Sequence, residues 1–262
     1  MKKRMTLFRA AALLVPPIRR LRDSRDSLRA EIDILRAAKE GPILSEKAEI
    51  DRPLRSNLQN WVSLQEQDYF EKHHCYGGLR DLGVGDAENI ERFVKLVPTM
   101  QVAVIGCGYG RETLHIAPRV AHVFGIDVSD KILAKASEFL EARGIHNFTP
   151  IRADRYDSDL PSSLDLVYSV VVMQHLTRDL VRDYFTKLAR KLSTSGSFVV
   201  QFIENLVEGT ETDADTRDYE PSVSWTVKQL EQLGRLSNLA LREIRSYKVT
   251  DTAIWHWAWF GR

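Results

Sequence analysis

The stretch 102–136, VAVIGCGYGRETLHIAPRVAHVFGIDVSDKILAKA, constrains the chain more than any other. An apolar run, 102–105, ends directly on glycine, and Gly106, Gly108 and Gly110 follow in a G-x-G-x-G pattern. Glycine admits positive φ and lets a ligand approach the backbone closely. Residues 111–118 fit a short helix whose first N–H groups face that turn. A second apolar run, 120–126, ends at Asp127. Strand, turn, helix, strand and acid in this order predict a βαβ unit. Its carboxylate, roughly 20 residues past the glycines, is placed to hold a ribose diol. The expected ligand is a nucleoside cofactor. A dinucleotide fingerprint requires G-x-G-x-x-G, but the third glycine would fall on Arg111. A P-loop requires Gly-Lys-Ser/Thr, which the chain lacks.

Alternation of strand and helix continues beyond this unit. Residues 129–143 predict a helix capped by Ser129. Strands follow at 148–151 and 164–172, then a helix at 177–192, a turn at 193–196 and a strand at 197–203. The polar, acidic stretch 204–221 reads as a long loop, a kind that tends to be functional or disordered. A helix at 225–236, which Ser224 would cap, precedes two closing strands, 239–249 and 253–260. Period-two alternation puts Trp255, Trp257 and Trp259 on one face of the last strand. Upstream, 86–97 predicts an amphipathic helix with Ile90, Phe93, Val94 and Val97 on one side. A second helical stretch, 54–73, runs into His73-His74-Cys75-Tyr76-Gly77-Gly78.

At 262 residues and 44% hydrophobic content, the chain supports one large domain with an appendage. A net charge of +1 gives no polyanion-binding signal. Cys75 and Cys107 make no disulfide framework, which fits a reducing, cytoplasmic setting. His73-His74-Cys75 has no converging partner, so no metal site is expected. In the leader, residues 10–15 are apolar, too few to span a bilayer, which takes roughly 20. Lys2, Lys3, Arg4, Arg9, Arg19, Arg20, Arg22 and Arg25 face few acids. They read either as a solvated tail or as a peripheral contact with anionic lipid. Ile18, Leu21, Leu28, Ile32 and Leu35 make a short heptad seam if Arg25 takes one a position. The seam implies a homo-oligomer, or else a helix packed on its own domain.

Gly106-Cys107-Gly108-Tyr109-Gly110 with Asp127 resembles motif I and the following acid of class I S-adenosylmethionine (SAM)-dependent methyltransferases. The resemblance implies an α/β, Rossmann-like, seven-stranded and mostly parallel sheet with helices on both faces and a terminal antiparallel pair. An N-terminal helical extension would precede it. The domains would be a basic leader at 1–50, a helical lid or substrate region at 51–98 and the methyltransferase domain at 99–262. The implied cofactor is SAM, held by Gly106, Cys107, Gly108, Gly110, Asp127, Val128, Asp154, Ser169 and Gln174. Asp154 would take the adenine amino group, with Asp157 and Asp159 as near competitors. One departure is Val104, where many members carry Asp or Glu near the cofactor's methionine end.

A hydroxyl acceptor needs a base, and His175, just past the fourth strand, is the expected one. His74 and His256 are its rivals. His74, Tyr76, Asp251 and Trp255 are expected to face substrate. A saccharide or glycan hydroxyl is the expected acceptor. The alternatives are O- or N-methylation of another small metabolite, or SAM binding without turnover. No Asn/Asp-Pro-Pro-Tyr motif follows the fourth strand and no basic stripe crosses the catalytic half, so nucleic acid is not expected as a partner.

Overall fold

The computed structural model describes residues 61–63, 83–206 and 223–262. All of these fall in the unit Leu54–Arg262. The leader, His74 and Tyr76 lie outside the described residues. Seven strands form one sheet in the order β3-β2-β1-β4-β5-β7-β6. They are β1 (Gln101–Ile105), β2 (His122–Asp127), β3 (Phe148–Arg152), β4 (Leu164–Ser169), β5 (Leu192–Asn205), β6 (Ala240–Thr250) and β7 (Ala253–Gly261). Pairings from β3 through β5 are parallel. Strand β7 runs antiparallel between β5 and β6. This is the expected sheet, closing antiparallel pair included.

Helices α1 (Val84–Glu91), α2 (Thr113–Ile116), α3 (Asp130–Glu141), α4 (Tyr156–Asp159), α5 (Arg178–Lys191) and α6 (Val227–Leu236) cover its faces. Central strands are buried on both sides, which is why β1 reads as a continuous apolar run rather than an alternation. On one face Phe185 of α5 stacks on Phe198 at 4.7 Å and meets Phe260 edge-on at 5.1 Å. Full burial of such a ring contributes about 1.5–3 kcal/mol. The other face buries Ile90, Ile116, Tyr168 and Trp257.

Local chemistry sets the helix starts. Ser129 and Thr177 cap α3 and α5, accepting from the N–H groups of Ile132 and Leu180. The start of α6 differs from the expectation. Thr226 caps it in a capping box with Gln229, while the Ser224 hydroxyl accepts from Asn205 N–H at 2.9 Å. Helix α1 stops at Glu91, short of residue 97. Residues 193–196 are not a free turn. They belong to β5, whose register against β4 shifts there. Asp165, at the amino end of β4, secures this end of the sheet by accepting from Gln101 N–H at 2.9 Å and from the Ser193 hydroxyl at 3.0 Å.

Strand β4 ends at Ser169 rather than at 172. Val171 takes φ 56°, a left-handed conformation. For a β-branched residue that conformation costs about 1–3 kcal/mol. The sheet's two edges also differ. Strand β3 carries Pro150, tolerated because an edge strand can lack one ladder donor. Strand β6 carries Arg242, Arg245 and Lys248.

Candidate active site

Strands β1 and β2 deliver the glycine turn and Asp127 side by side at their carboxyl ends. Gly106 and Gly108 take φ 69° and 49°. A side chain on Gly106 would strike Val172, so the turn after β1 and the turn after β4 are packed into each other. The Asp127 carboxylate is 6% exposed. Its Oδ2 accepts from Gly108 N–H at 3.1 Å and its Oδ1 from Ser129 N–H at 3.3 Å. These bonds fix the carboxylate at the carboxyl edge of the sheet, and a carboxylate is the acceptor that a ribose diol needs.

Beyond β2 and β3 lies a cleft of about 550 Å³ lined by Val128, Arg152, Ala153, Asp154 and Tyr156 among others. Its size is ordinary for a small-ligand site, and it brings the expected Val128 and Asp154 together. Asp154 stands 3.6 Å from Arg152 Nε, and Arg152 Nη1 bonds Asp130 at 2.7 Å. Asp157 lines the same cleft, whereas Asp159 faces Arg155 at 3.5 Å. Tyr156 donates to Asp183 at 3.0 Å. Burial first, and then the Asp183 charge, push its phenol far up, so it stays a neutral donor.

Other expected residues sit deeper. The Ser169 side chain is fully buried, and its hydroxyl donates to the Ile105 carbonyl at 2.9 Å. It ties β4 to β1 from inside the sheet. Cys107 is also buried, with Sγ turned to the Gly108 carbonyl at 3.6 Å. Burial and, next, the Asp127 charge push its thiol well up, so only its backbone is available to a ligand. Gln174 and His175 lie in a 3-10 turn, Met173–His175, just past β4. His175 is 8% exposed. The Trp61 ring meets it edge-on at 4.6 Å. Trp255 and Asp251 flank the start of β7, which the antiparallel register brings beside the carboxyl end of β5. Asp251 is exposed and stands 3.5 Å from Lys248.

Glu112, Tyr168 and Gln201 escape a reading of motifs, while Val104 was visible as a departure from one. Val104 is buried between Gly125 and Tyr168 in register and carries no charge. Glu112, at the start of α2, is a buried acid close to this turn, bonded to Arg111 at 2.9 Å. Its charge adds to the upward push on Cys107 and Tyr168. Tyr168 shares a hydrogen bond with Thr113 at 2.8 Å. Gln201 of β5, 1% exposed, accepts from Val171 N–H at 3.0 Å and holds the strained turn after β4. The faint signal is polarity: Gln201 interrupts the apolar run 198–203.

Among the described residues no group of three or more His, Cys, Asp or Glu is arranged to hold a metal. Likewise, no helix among them is long and apolar enough to cross a membrane.

A seven-stranded sheet with β7 antiparallel, a glycine turn after β1 and an acid at the carboxyl end of β2, is the class I methyltransferase architecture. Residues 102–196 match the family model for a methyltransferase domain. Over 104 residues the chain is 32% identical to trans-aconitate 2-methyltransferase from Deinococcus radiodurans, a match spanning 38% of each protein. Magnesium protoporphyrin IX methyltransferase from Synechocystis, solved with SAM bound, superposes with a TM-score of 0.56 at 14% identity, over 79% of this chain and 97% of that one. The cyclase SpnF superposes with a TM-score of 0.58 at 14% identity, over 68% and 80%. Residues 102–196 thus match a methyltransferase domain within a sheet of the class I fold, and SAM is the cofactor that the Asp127 cradle and the adjoining cleft fit.

Proposed function

We propose that this protein methylates a saccharide hydroxyl, with His175 taking the hydroxyl proton. The observation that carries the reading is the placement of His175 in the turn past β4, on the sheet edge that also bears Gly108 and Asp127. SAM supplies an already activated methyl group, so the protein's task is alignment and proton removal. Asp127 binds and orients through the ribose. Trp61 walls one side of the His175 ring from water. Gln201, through Val171, fixes the turn from which His175 projects. Trp255, meeting Tyr247 edge-on at 6.1 Å, and the exposed Asp251 give an aromatic face and a carboxylate suited to a sugar ring.

A second reading is methylation of a small carboxylic acid, favoured by the relative named for trans-aconitate. A carboxylate acceptor needs no base, so one experiment separates the two. Release of the demethylated cofactor is measured across glycosides and polycarboxylates, for the wild type and His175→Ala. Turnover on a glycoside, lowered about 10²–10⁴-fold in the variant with SAM affinity kept, supports the first reading. Turnover on a polycarboxylate that survives the substitution supports the second. SAM binding with no product on either panel replaces both with a binding role. For the leader 1–50 we propose a homo-oligomeric seam beside its basic, lipid-facing residues. Light scattering with residues 1–41 removed tests it, and an unchanged mass rejects the seam.

A further inference from the structure

At the far end of the sheet three side chains from three strands form a hydrogen-bonded row that methyl transfer does not use. Ser246 of β6 bonds His256 Nδ1 at 2.7 Å, and His256 Nε2 bonds Glu204 of β5 at 2.7 Å. The antiparallel register aligns Ser246, His256 and Phe202 across the strands, with Glu204 two residues along β5. His256 is 2% exposed, on the aromatic face that holds Phe202 and Trp225, whereas Ser246 is exposed on the edge strand.

The chemistry of the row has a direction. An ionised carboxylate only accepts, so Glu204 draws the imidazole proton to Nε2. Nδ1 is then the bare nitrogen, and Ser246 must donate to it. The one hydroxyl proton points into the ring and the oxygen lone pairs face outward. Should the proton cross to Nδ1, Glu204 is placed to stabilise the imidazolium. The ring is used in the opposite sense to the familiar Ser-His-Asp template, with serine on Nδ1, but both nitrogens belong to one conjugated ring and the proton path is equivalent. Lys248, two residues on, shares the Ser246 side of β6, with its ammonium 3.5 Å from Asp251.

We propose that Ser246, His256 and Glu204 form a second reactive site in which Ser246 Oγ is an activated nucleophile toward acyl donors such as activated esters. Oγ forms the bond to the acyl carbon while His256 takes its proton. The ester C–O bond breaks, and the departing alcohol receives that proton. Water, deprotonated by the same imidazole, then cleaves the acyl-serine and restores the hydroxyl.

The test uses the full chain and a fluorophosphonate probe. Oγ displaces fluoride from phosphorus, and intact-mass and peptide spectra report the site. Ser158 is the internal control. It is exposed and donates to a carboxylate, Asp159, at 2.7 Å, with no imidazole between. Ser246 should label at least about tenfold faster than Ser158. Ser246→Ala, a surface change, should remove that label. Glu204→Gln keeps a hydrogen-bonding group but lets its amide donate to Nε2, moving the ring proton to Nδ1. It should slow labelling by about 10²-fold or more, within the usual range for losing base catalysis, with an unchanged circular dichroism spectrum. Labelling of Ser246 no faster than Ser158, or a rate indifferent to Glu204→Gln in a folded protein, overturns the proposal and leaves the row as a cross-strand tie.

Discussion

The two halves of the sheet organise chemistry in different ways. From β3 to β4 the strands are parallel, with β1 and β4 almost wholly buried, and function collects where they end. Backbone groups, a glycine turn and one carboxylate do the binding there, because side chains along the strands are consumed by packing. From β5 to β6 the strands are antiparallel, and residues far apart in sequence become neighbours across the ladder. Glu204, His256 and Ser246 meet only because of that register. In the first half, position along the chain predicts position at the site. In the second half it does not.

The largest expected effect tests what joins the halves. Phe185 packs on Phe198 and Phe260 of β5 and β7. Phe185→Ala should cost about 3–5 kcal/mol in urea denaturation. A loss near 1 kcal/mol would mean that the aromatic face contributes little and that the halves are held elsewhere. Next comes Asp127→Ala, which should weaken SAM binding by about 1.5–3 kcal/mol, the scale of a charge-assisted bond, in calorimetry. If affinity holds, the parallel half binds without its carboxylate and the contrast drawn above is mistaken.

Val171→Gly sharpens the comparison from the other side. Glycine adopts φ 56° without strain, so the variant should gain up to about 1 kcal/mol if relief outweighs the added freedom of the unfolded chain. SAM affinity should fall, because the turn packed on Gly106 becomes freer. A stability gain with unchanged affinity would show that the strain serves no ligand. The smallest effect concerns Cys107. Its folded pKa lies well above the ordinary value because of burial and Asp127. Stability is therefore full below about pH 8.5, where the unfolded thiol is still protonated, and declines as pH rises past it. Between pH 7 and 9 the decline attributable to this thiol should stay under about 1 kcal/mol and be absent in Cys107→Ala.

The fold was legible because hydrophobic runs, glycines and caps report local structure. Ser129 capped as its sequence suggested. Ser224 did not, since Thr226 with Gln229 offered two reciprocal bonds where Ser224 offered one. The end of β4 misled because Val170, Val171 and Val172 look like strand. Only the tertiary partner Gln201 and the space above Gly106 explain why the chain turns there. Of the candidate site, the placement of Asp127 at the end of β2 and of Val128 and Asp154 along one cleft follows from motif position. Ser169 and Cys107 also sit at motif positions, yet their side chains face inward, and orientation about a strand end cannot be read from spacing. Glu112 was hidden because its acid lies on the helix after the glycines rather than on the strand before them.

The two edges of the sheet bear on how this protein behaves at high concentration. An open strand edge is a template on which another chain can add. Strand β6 offers such a template over its whole length, Ala240–Thr250, and leaves Tyr247 and Val249 exposed on it. Lys248 separates those apolar side chains, Arg242 and Arg245 stand further along the edge, and although Glu243 pairs with Arg245 the strand stays net positive, so two molecules meeting edge to edge would bring like charge together. At the opposite edge Pro150 withholds a ladder donor from any incoming strand. Sheet extension is thus resisted by charge on one side and by covalent geometry on the other. Raising salt screens only the first, so colloidal trouble in this protein should begin at β6 and grow with ionic strength.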